Sequence, residues 1–317
     1  MADHEYQGVH LDFDPAEAIH VYLLGTGSPS LSTSRHGICT LIRAGGQWLL
    51  FDLGRGALQR MYEAGVPVPE LNRVFLTHLH SDHICGFPDF WMTGWFVLHR
   101  EHPIEVHGPE GTARFIDGMR EMHHFDLAIR PRYETAAADG RDLRVHEFAE
   151  GVVFERDGLK VSAFLVDHGP VKPAYGFRVD WNGRSVVLSG DTTICEGVMR
   201  NAEGCDLLVH EIGAASRRQL DGNEITRRIM SIHTSPEQMA QVCARSRPRL
   251  TLLNHVSVWR VTQYDILDRV RAGYDGAVEM ALDRMEVLVG PQIRIFPPGP
   301  PRTGQDLIVS DRKREAP

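Results

Sequence analysis

His78-Leu79-His80-Ser81-Asp82-His83 sets four side chains able to bind a metal within six residues, directly after the apolar run Arg73 to Leu76. Val74, Phe75 and Leu76, bounded by polar residues, read as a buried strand ending at Thr77. The ligands therefore stand at a strand's C-terminal edge. In a tight loop leaving that edge, His78 and His80 can turn toward one point while Asp82 and His83 fall on a second side of it. Such a split suits two adjacent metal ions. Imidazole and carboxylate fit zinc, with manganese or iron as competitors. No thiolate belongs to the cluster, which argues against a structural cysteine-type site. The competing explanation is a His-rich surface turn in a chain with 17 histidines among 317 residues. An Asp interleaved at this spacing beside a buried strand argues for the metal.

The elements that must position these ligands follow from the rest of the chain. Ile19 to Leu24 reads as a strand, and Cys39 to Ile42 with Trp48 to Phe51 as a hairpin turned at Gly45-Gly46, closed by Asp52-Leu53-Gly54. A helix over Gly56 to Glu63 precedes the strand at Arg73, and a strand Ile104 to His107 leads into a helix over Thr112 to Met122. Strands Leu159 to Val166, Tyr175 to Asp180 and Ser185 to Leu188 follow, the last two joined at Asn182-Gly183. A βαβ-like rhythm comes next: helix Ile194 to Ala202, strand Asp206 to His210, helix Pro236 to Ala244, strand Leu250 to Asn254. Ser235, Pro236 and Gln238 form a capping box, so His233 stands just before a rigid helix N-terminus. This order suggests an α/β chain built as a two-sheet sandwich with helices outside, a single domain over 1–317 whose tail, 298–317, is expected to be mobile.

Composition narrows the class. With 42% hydrophobic residues the chain can bury a large core. Neither a polar N-terminus nor any apolar stretch approaching the ~18 residues of a membrane span points to a membrane, and a cytoplasmic protein is expected. Five cysteines without paired spacing fit reduced thiols. A formal net charge of −8 disfavours a polyanion as main partner, so nucleic acid is expected to be an improbable one.

Two metals need further ligands, and three later residues stand at strand ends: His168 after Val161 to Val166, Asp191 after Val186 to Gly190, and His255 after Leu250 to Leu253. Each alone is what a cap or turn supplies. Together they bring the set to seven, with Asp191 the carboxylate able to bridge both ions.

With these motifs the chain resembles the metallo-β-lactamase fold, a four-layer αββα sandwich, over roughly Ile19 to Phe296. The carriers are the HxHxDH stretch at His78 to His83, His168, Asp191 and His255, together with Leu24-Gly25-Thr26-Gly27 and the strand-end carboxylate Asp52. The resemblance implies two Zn2+ (Mn2+ or Fe2+ in their place), one held by His78, His80 and His168, the other by Asp82, His83 and His255, with Asp191 shared. Leu23 to Pro29, His107 to Gly111, Val209-His210-Glu211 and His233 to Gln238 are most similar to the ribonuclease Z and zinc-type arylsulfatase branch. That branch implies that His233 donates or relays a proton and Glu211 orients it.

These roles suit the chemistry. Binding to zinc lowers the pKa of water to about 7, so a metal-bridging hydroxide exists near neutrality. It can attack phosphorus, sulfur or carbonyl carbon. His233, tuned by Glu211, can supply the leaving oxygen with a proton. Asp82 can accept one from the nucleophilic water, and Asp52 reads as a loop-fixing carboxylate behind the ligands.

The interval from His168 to Asp191 is 23 residues, too short for the long arm by which ribonuclease Z members hold transfer RNA. A small anionic ester, an aryl sulfate or phosphodiester, is therefore the expected substrate of a zinc-dependent hydrolase. Transfer-RNA 3′ processing and lactonase or β-lactamase activity are the alternatives. Phe87, Phe90, Trp91, Trp95 and Phe96 offer either an aromatic wall for an aryl leaving group or packing in the core or against a second subunit of a homodimer. Arg217, Arg218, Arg227 and Arg228 read as a solvated loop that could alternatively grip a phosphate or sulfate. His123 and His124, at a helix end, could approach the cleft and are assigned no role.

Overall fold

The computed structural model describes residues 11, 13–132 and 137–300; the tail's residues 301–317 and the polar start, 1–8, lie outside them. In chain order its first half comprises β1 (Ile19–Gly25), β2 (Cys39–Ala44), β3 (Gln47–Phe51), α1 (Ala57–Glu63), β4 (Arg73–Phe75), α2 (Ser81–Ile84), α3 (Phe87–Phe96), β5 (Ile104–Gly108), α4 (Thr112–Met122) and α5 (His124–Ile129). After these come β6 (Leu143–Glu147), β7 (Gly151–Arg156), β8 (Leu159–Leu165), β9 (Tyr175–Trp181), β10 (Arg184–Leu188), α6 (Glu196–Asn201) and β11 (Leu207–Ala215). The chain continues through α7 (Arg217–Gly222), α8 (Glu224–Met230), α9 (Pro236–Ser246), β12 (Leu250–Trp259), α10 (Gln263–Arg271), β13 (Val278–Met280), β14 (Met285–Val289) and β15 (Ile293–Phe296). Two sheets result, ordered β15-β14-β1-β2-β3-β4-β5-β6 and β13-β12-β11-β10-β9-β8-β7.

Most central strands are apolar on both faces, and that pattern dictates four layers. Leu49, Phe51, Phe75, Phe177, Val186, Leu188, Leu207, Val209 and Leu252 meet between the sheets. Phe51 lies 5.0 Å from Phe75 and 5.2 Å from Phe177, ring centroid to centroid, contacts worth about 0.5–1.5 kcal/mol each beyond area burial. One residue along, Leu50, Val74 and Leu76 face the other way, onto Phe87, Phe90, Trp91 and Trp95 of α3. Val187, Leu208 and Leu253 likewise face Met239 and Val242 of α9 and Ile266 of α10. Three apolar interfaces separate the layers α, β, β and α.

The aromatic segment thus belongs to the core: Phe87, Phe90, Trp91 and Trp95 are 0–1% exposed. The aromatic wall for an aryl group is ruled out, because α3 turns these rings onto the sheet. A second correction concerns the stretch between Glu211 and His233, which is two short helices and not a loop. The Asn223 side chain caps α8 by accepting from Thr226 N. Arg227 donates to the carbonyls of Leu220 (2.6 Å) and Asp221 (3.1 Å) and so ties α8 to α7.

The loop between β1 and β2 is fastened by buried Asp283, whose carboxylate accepts from Thr26 N (2.9 Å), Thr26 Oγ1 (2.7 Å), His36 N (2.7 Å) and Arg60 Nε (2.9 Å). Asp283→Ala strands these donors and leaves a mostly buried guanidinium with fewer acceptors. A loss of about 3 kcal/mol is expected in urea denaturation; a loss below about 1 kcal/mol would show that water replaces the carboxylate.

Candidate metal centre

The sequence-derived ligands gather at one edge of the sandwich, and all but His255 lie just past the end of a strand. β4 ends at Phe75, and Thr77 to His80 run into the single turn of α2, which carries Asp82 and His83. His168 follows β8, Asp191 follows β10, and His255 lies within β12 opposite a register shift in β11 between Glu211 and Ile212. Close packing holds α2 in place. A Cβ at Gly86 would come within 2.2 Å of Gly54 O, and one at Gly54 within 2.6 Å of Asp82 O, so neither position admits a side chain.

The structure brings all seven residues together. Ligand atoms of His78, His80 and His168 lie within 4.8 Å of one another, as do those of Asp82, His83 and His255. Asp191 stands between the two groups. Its Oδ2 is 3.4 Å from His83 Nε2 and 3.9 Å from His168 Nε2, and its Oδ1 is 3.5 Å from His255 Nδ1. His255 Nε2 lies 3.1 Å from Asp82 Oδ2. Only His80 of the seven is exposed, which places the opening to solvent beside it.

Polar atoms left without partners show what these residues fit. His78 Nε2, His83 Nε2, Asp191 Oδ1 and His255 Nδ1 are buried and make no hydrogen bond. Burying such groups unpaired is costly, and a cation between them removes the cost. The opposite ring nitrogens of three histidines are already occupied: His78 Nδ1 faces Thr77 Oγ1 (3.0 Å), His83 Nδ1 faces Asp52 Oδ2 (2.8 Å), and His168 Nδ1 faces Ile232 O (3.1 Å). An Nδ1–H held by an oxygen leaves Nε2 as the free lone pair, the arrangement found behind metal-binding imidazoles.

Asp52 also accepts from Thr77 N (2.9 Å) and Thr77 Oγ1 (2.8 Å), so one carboxylate orients His83 directly and His78 through Thr77. Thr77 and the Ile232 carbonyl escape a reading of the sequence. Thr77 is signalled only by its place before the motif, and a backbone carbonyl carries no residue signature. Asp52→Asn is expected to weaken metal binding about 10–100-fold in competition with a chromophoric chelator. Unchanged affinity would reduce Asp52 to a fold-stabilising contact.

Charge within the cluster is strongly coupled. Burial opposes ionisation of Asp191, yet the nearby imidazoles of His255 and His83 hold its carboxyl well below the ordinary carboxylate range. Burial pushes His78 down, with His83 adding repulsion. His83, despite burial, is raised by the Asp191 and Asp52 carboxylates.

His233 stands beside this group, its ring 5.3 Å from that of His168 and 5.8 Å from that of His255. Its Nδ1 lies 3.0 Å from Glu211 Oε2, while Glu211 Oε1 accepts from Thr234 N at 2.6 Å. The Ser235–Gln238 capping box with Pro236 starts α9 immediately after, which fixes the backbone on which His233 rides. Burial would lower its pKa, but the Glu211 carboxylate outweighs it and raises His233 to about 9. His123 and His124 are not part of the site: their Nδ1 atoms face the carbonyls of Met119 and Glu121.

Among the described residues no helix is long and apolar enough to cross a membrane. The beta-lactamase superfamily domain matches residues 47–256 of the chain. A ribonuclease Z of Mycolicibacterium gilvum (strain PYR-GCK) is 36% identical over 285 residues, which cover 89% of this chain and all of the relative. Among solved structures, the metallo-beta-lactamase fold protein YhfI from Bacillus subtilis superposes with a TM-score of 0.67 at 16% identity, over 86% of this chain and 99% of that one. Human tRNase Z, short form (ELAC1), gives 0.63 at 23% identity, over 86% and 99%. The four layers are therefore those of the metallo-β-lactamase fold, and the chain belongs to the beta-lactamase superfamily of hydrolases, with relatives named ribonuclease Z.

Proposed function

We propose that this protein is a dinuclear metal-dependent phosphodiesterase that cleaves RNA, a ribonuclease Z-like enzyme of transfer-RNA 3′ processing. His78, His80 and His168 would hold one ion, Asp82, His83 and His255 the other, and Asp191 both. Divalent metal there, zinc first, supplies a Lewis acid and water of lowered pKa.

The chain's own residues do the rest. Asp82 accepts a proton from the attacking water. Asp52 and Thr77 keep His83 and His78 in the tautomer that presents Nε2. Glu211 retains the Nδ1 proton of His233, so the proton delivered to the leaving oxygen departs from Nε2. This Glu211–His233 pair is the observation that carries the reading. A ribose alkoxide leaves poorly without a proton, whereas a phenoxide leaves an aryl sulfate with little help, so a buried histidine held protonated matches the harder leaving group.

The relatives named ribonuclease Z support this order of substrates. The sequence alone favoured a small anionic ester because the 23-residue interval after His168 has no room for a long arm. A ribonuclease Z that aligns over its whole length within 285 residues is no longer than this chain, so length does not separate the two. RNA moves from improbable partner to proposed substrate, and the aryl sulfate becomes the second reading. With zinc- or manganese-loaded enzyme, a 3′-extended precursor tRNA is expected to be cleaved with a kcat/KM at least ~10²-fold above that for p-nitrophenyl sulfate, about 2.7 kcal/mol of transition-state preference. The reverse order would reject the ribonuclease reading in favour of a sulfatase.

A further inference from the structure

Beyond Glu211 and His255 the second sheet narrows to two strands. The β10–β11 ladder stops at Val209, and the β12–β13 ladder stops at Leu253. β11 and β12 stay paired for four more residues, from Ile212↔Val256 to Ala215↔Trp259, about 13 Å at strand rise. This extension runs past the edge on which the metal centre lies. At its end it carries α7 and α8, with Ser216 N donating to Trp259 O at 2.9 Å. The chain then returns from α8 straight into the site. The Ile232 carbonyl lies 3.1 Å from His168 Nδ1, and a Cβ on Gly213 would come within 2.8 Å of the Cβ of His233.

The overhang is basic in an acidic protein. Residues 212–233 and the strand end carry Arg217, Arg218, Arg227, Arg228 and Arg260 against Asp221 and Glu224, while the whole chain is at −8. Arg227 is committed to tying the helices together. The other four are exposed. The side chains of Arg218 and Arg260 have no hydrogen bond or ion pair among the described residues. Arg217 pairs with Asp221 at 3.8 Å and Arg228 with Glu224 at 2.6 Å, within their own helices. Exposed pairs of this kind are worth little, so a phosphate displaces the carboxylate readily and gains a guanidinium fork. Tyr264, 69% exposed at the start of α10 four residues past Arg260, adds a ring face of the type on which unpaired bases stack.

We infer that the β11–β12 extension with α7 and α8 is this chain's own RNA-holding arm, gripping the phosphate backbone beside the metal centre through Arg217, Arg218, Arg228 and Arg260. The inference rests on the ribonuclease reading and supplies the substrate grip that the short interval after His168 lacks. It fits a polyanion with regularly spaced phosphates, and a small ester is too short to reach it.

The test is the R217Q/R218Q/R228Q/R260Q variant of the zinc-loaded full chain, which leaves Arg227 and the metal centre intact. Binding of fluorescent mature tRNA is measured by anisotropy from about 50 to 300 mM salt, cleavage of the precursor separately, and bis(p-nitrophenyl) phosphate serves as a small substrate. The variant should bind tRNA at least ~10-fold more weakly, and the slope of log Kd against log salt should fall by about 3, at roughly 0.7–0.9 for each phosphate that is no longer neutralised. KM for the precursor should rise by the same factor, with small-ester hydrolysis unchanged. Wild-type affinity and salt slope in the variant would overturn the arm while leaving the ribonuclease reading intact. If the wild type binds tRNA through these arginines and does not cleave it, the arm stands and the ribonuclease reading falls. If the wild type binds no tRNA at the lowest salt, the arm is refuted outright.

Discussion

Asp191→Ala abolishes hydrolysis of every substrate, RNA and small ester alike, by more than about 10³-fold, or roughly 4 kcal/mol of transition-state stabilisation. The size follows from where this carboxylate stands. It lies within 4 Å of ring nitrogens of His83, His168 and His255, residues drawn from both triads, so its removal breaks both at once. Asp82 and Asp191 are the only anions among the seven proposed ligands, and losing one halves the charge that compensates two dications. The variant should also lose metal, read independently by mass spectrometry, while near-UV circular dichroism confirms that the sheets remain packed. Residual activity above about a tenth of wild type, with two ions still bound, would refute a shared carboxylate.

His233→Ala separates substrates instead of silencing them. Removing a general acid is expected to cost about 10²–10⁴-fold in kcat when the leaving group is a ribose oxygen. It should cost under about 10-fold when the leaving group is p-nitrophenolate, which departs without a proton. KM for the RNA should change little, because His233 sits beside the reacting centre and not on the arginine-bearing overhang. Glu211→Gln should fall between wild type and His233→Ala, since the amide still accepts from Nδ1 but no longer raises the imidazole toward about 9. Loss of that support moves the alkaline limb of the kcat profile to lower pH, because His233 then gives up its proton sooner as pH rises. Equal losses across leaving groups would instead assign His233 a purely positioning role.

What the sequence reveals of this site follows from how its residues are supplied. His78 to His83 are legible because one loop delivers four of the seven proposed ligands. Asp191 and His255 are legible because each follows an apolar run that is buried on both faces, the pattern of a strand in a covered sheet, and His168 because it follows β8, whose residues alternate between buried and half-buried. The capping box at Ser235 is read correctly because it needs only three residues. Less local features escape. β6 and β7 are edge strands, half polar, and β13 has three residues, so none shows a clear alternation. α7 and α8 carry almost no buried face; a cap and one arginine staple hold them, which composition reads as loop. Phe87 to Phe96 has the residues of a pocket wall, and only packing against Val74 and Leu76 shows that it is core. The small-ester expectation drawn from the interval after His168 yields to the ribonuclease proposal for a different reason: it equates one arm with all means of holding RNA, whereas arginines on another strand pair can supply the same phosphate contacts.

The most direct measurement on the dinuclear centre is the metal stoichiometry of the zinc-loaded full chain by native mass spectrometry, with the Asp191→Ala and Asp52→Asn variants alongside. Two ions per wild-type chain, fewer in Asp191→Ala, and two bound more weakly in Asp52→Asn are expected. A wild-type chain that binds one ion or none at saturating zinc would contradict a two-ion site built around one shared carboxylate.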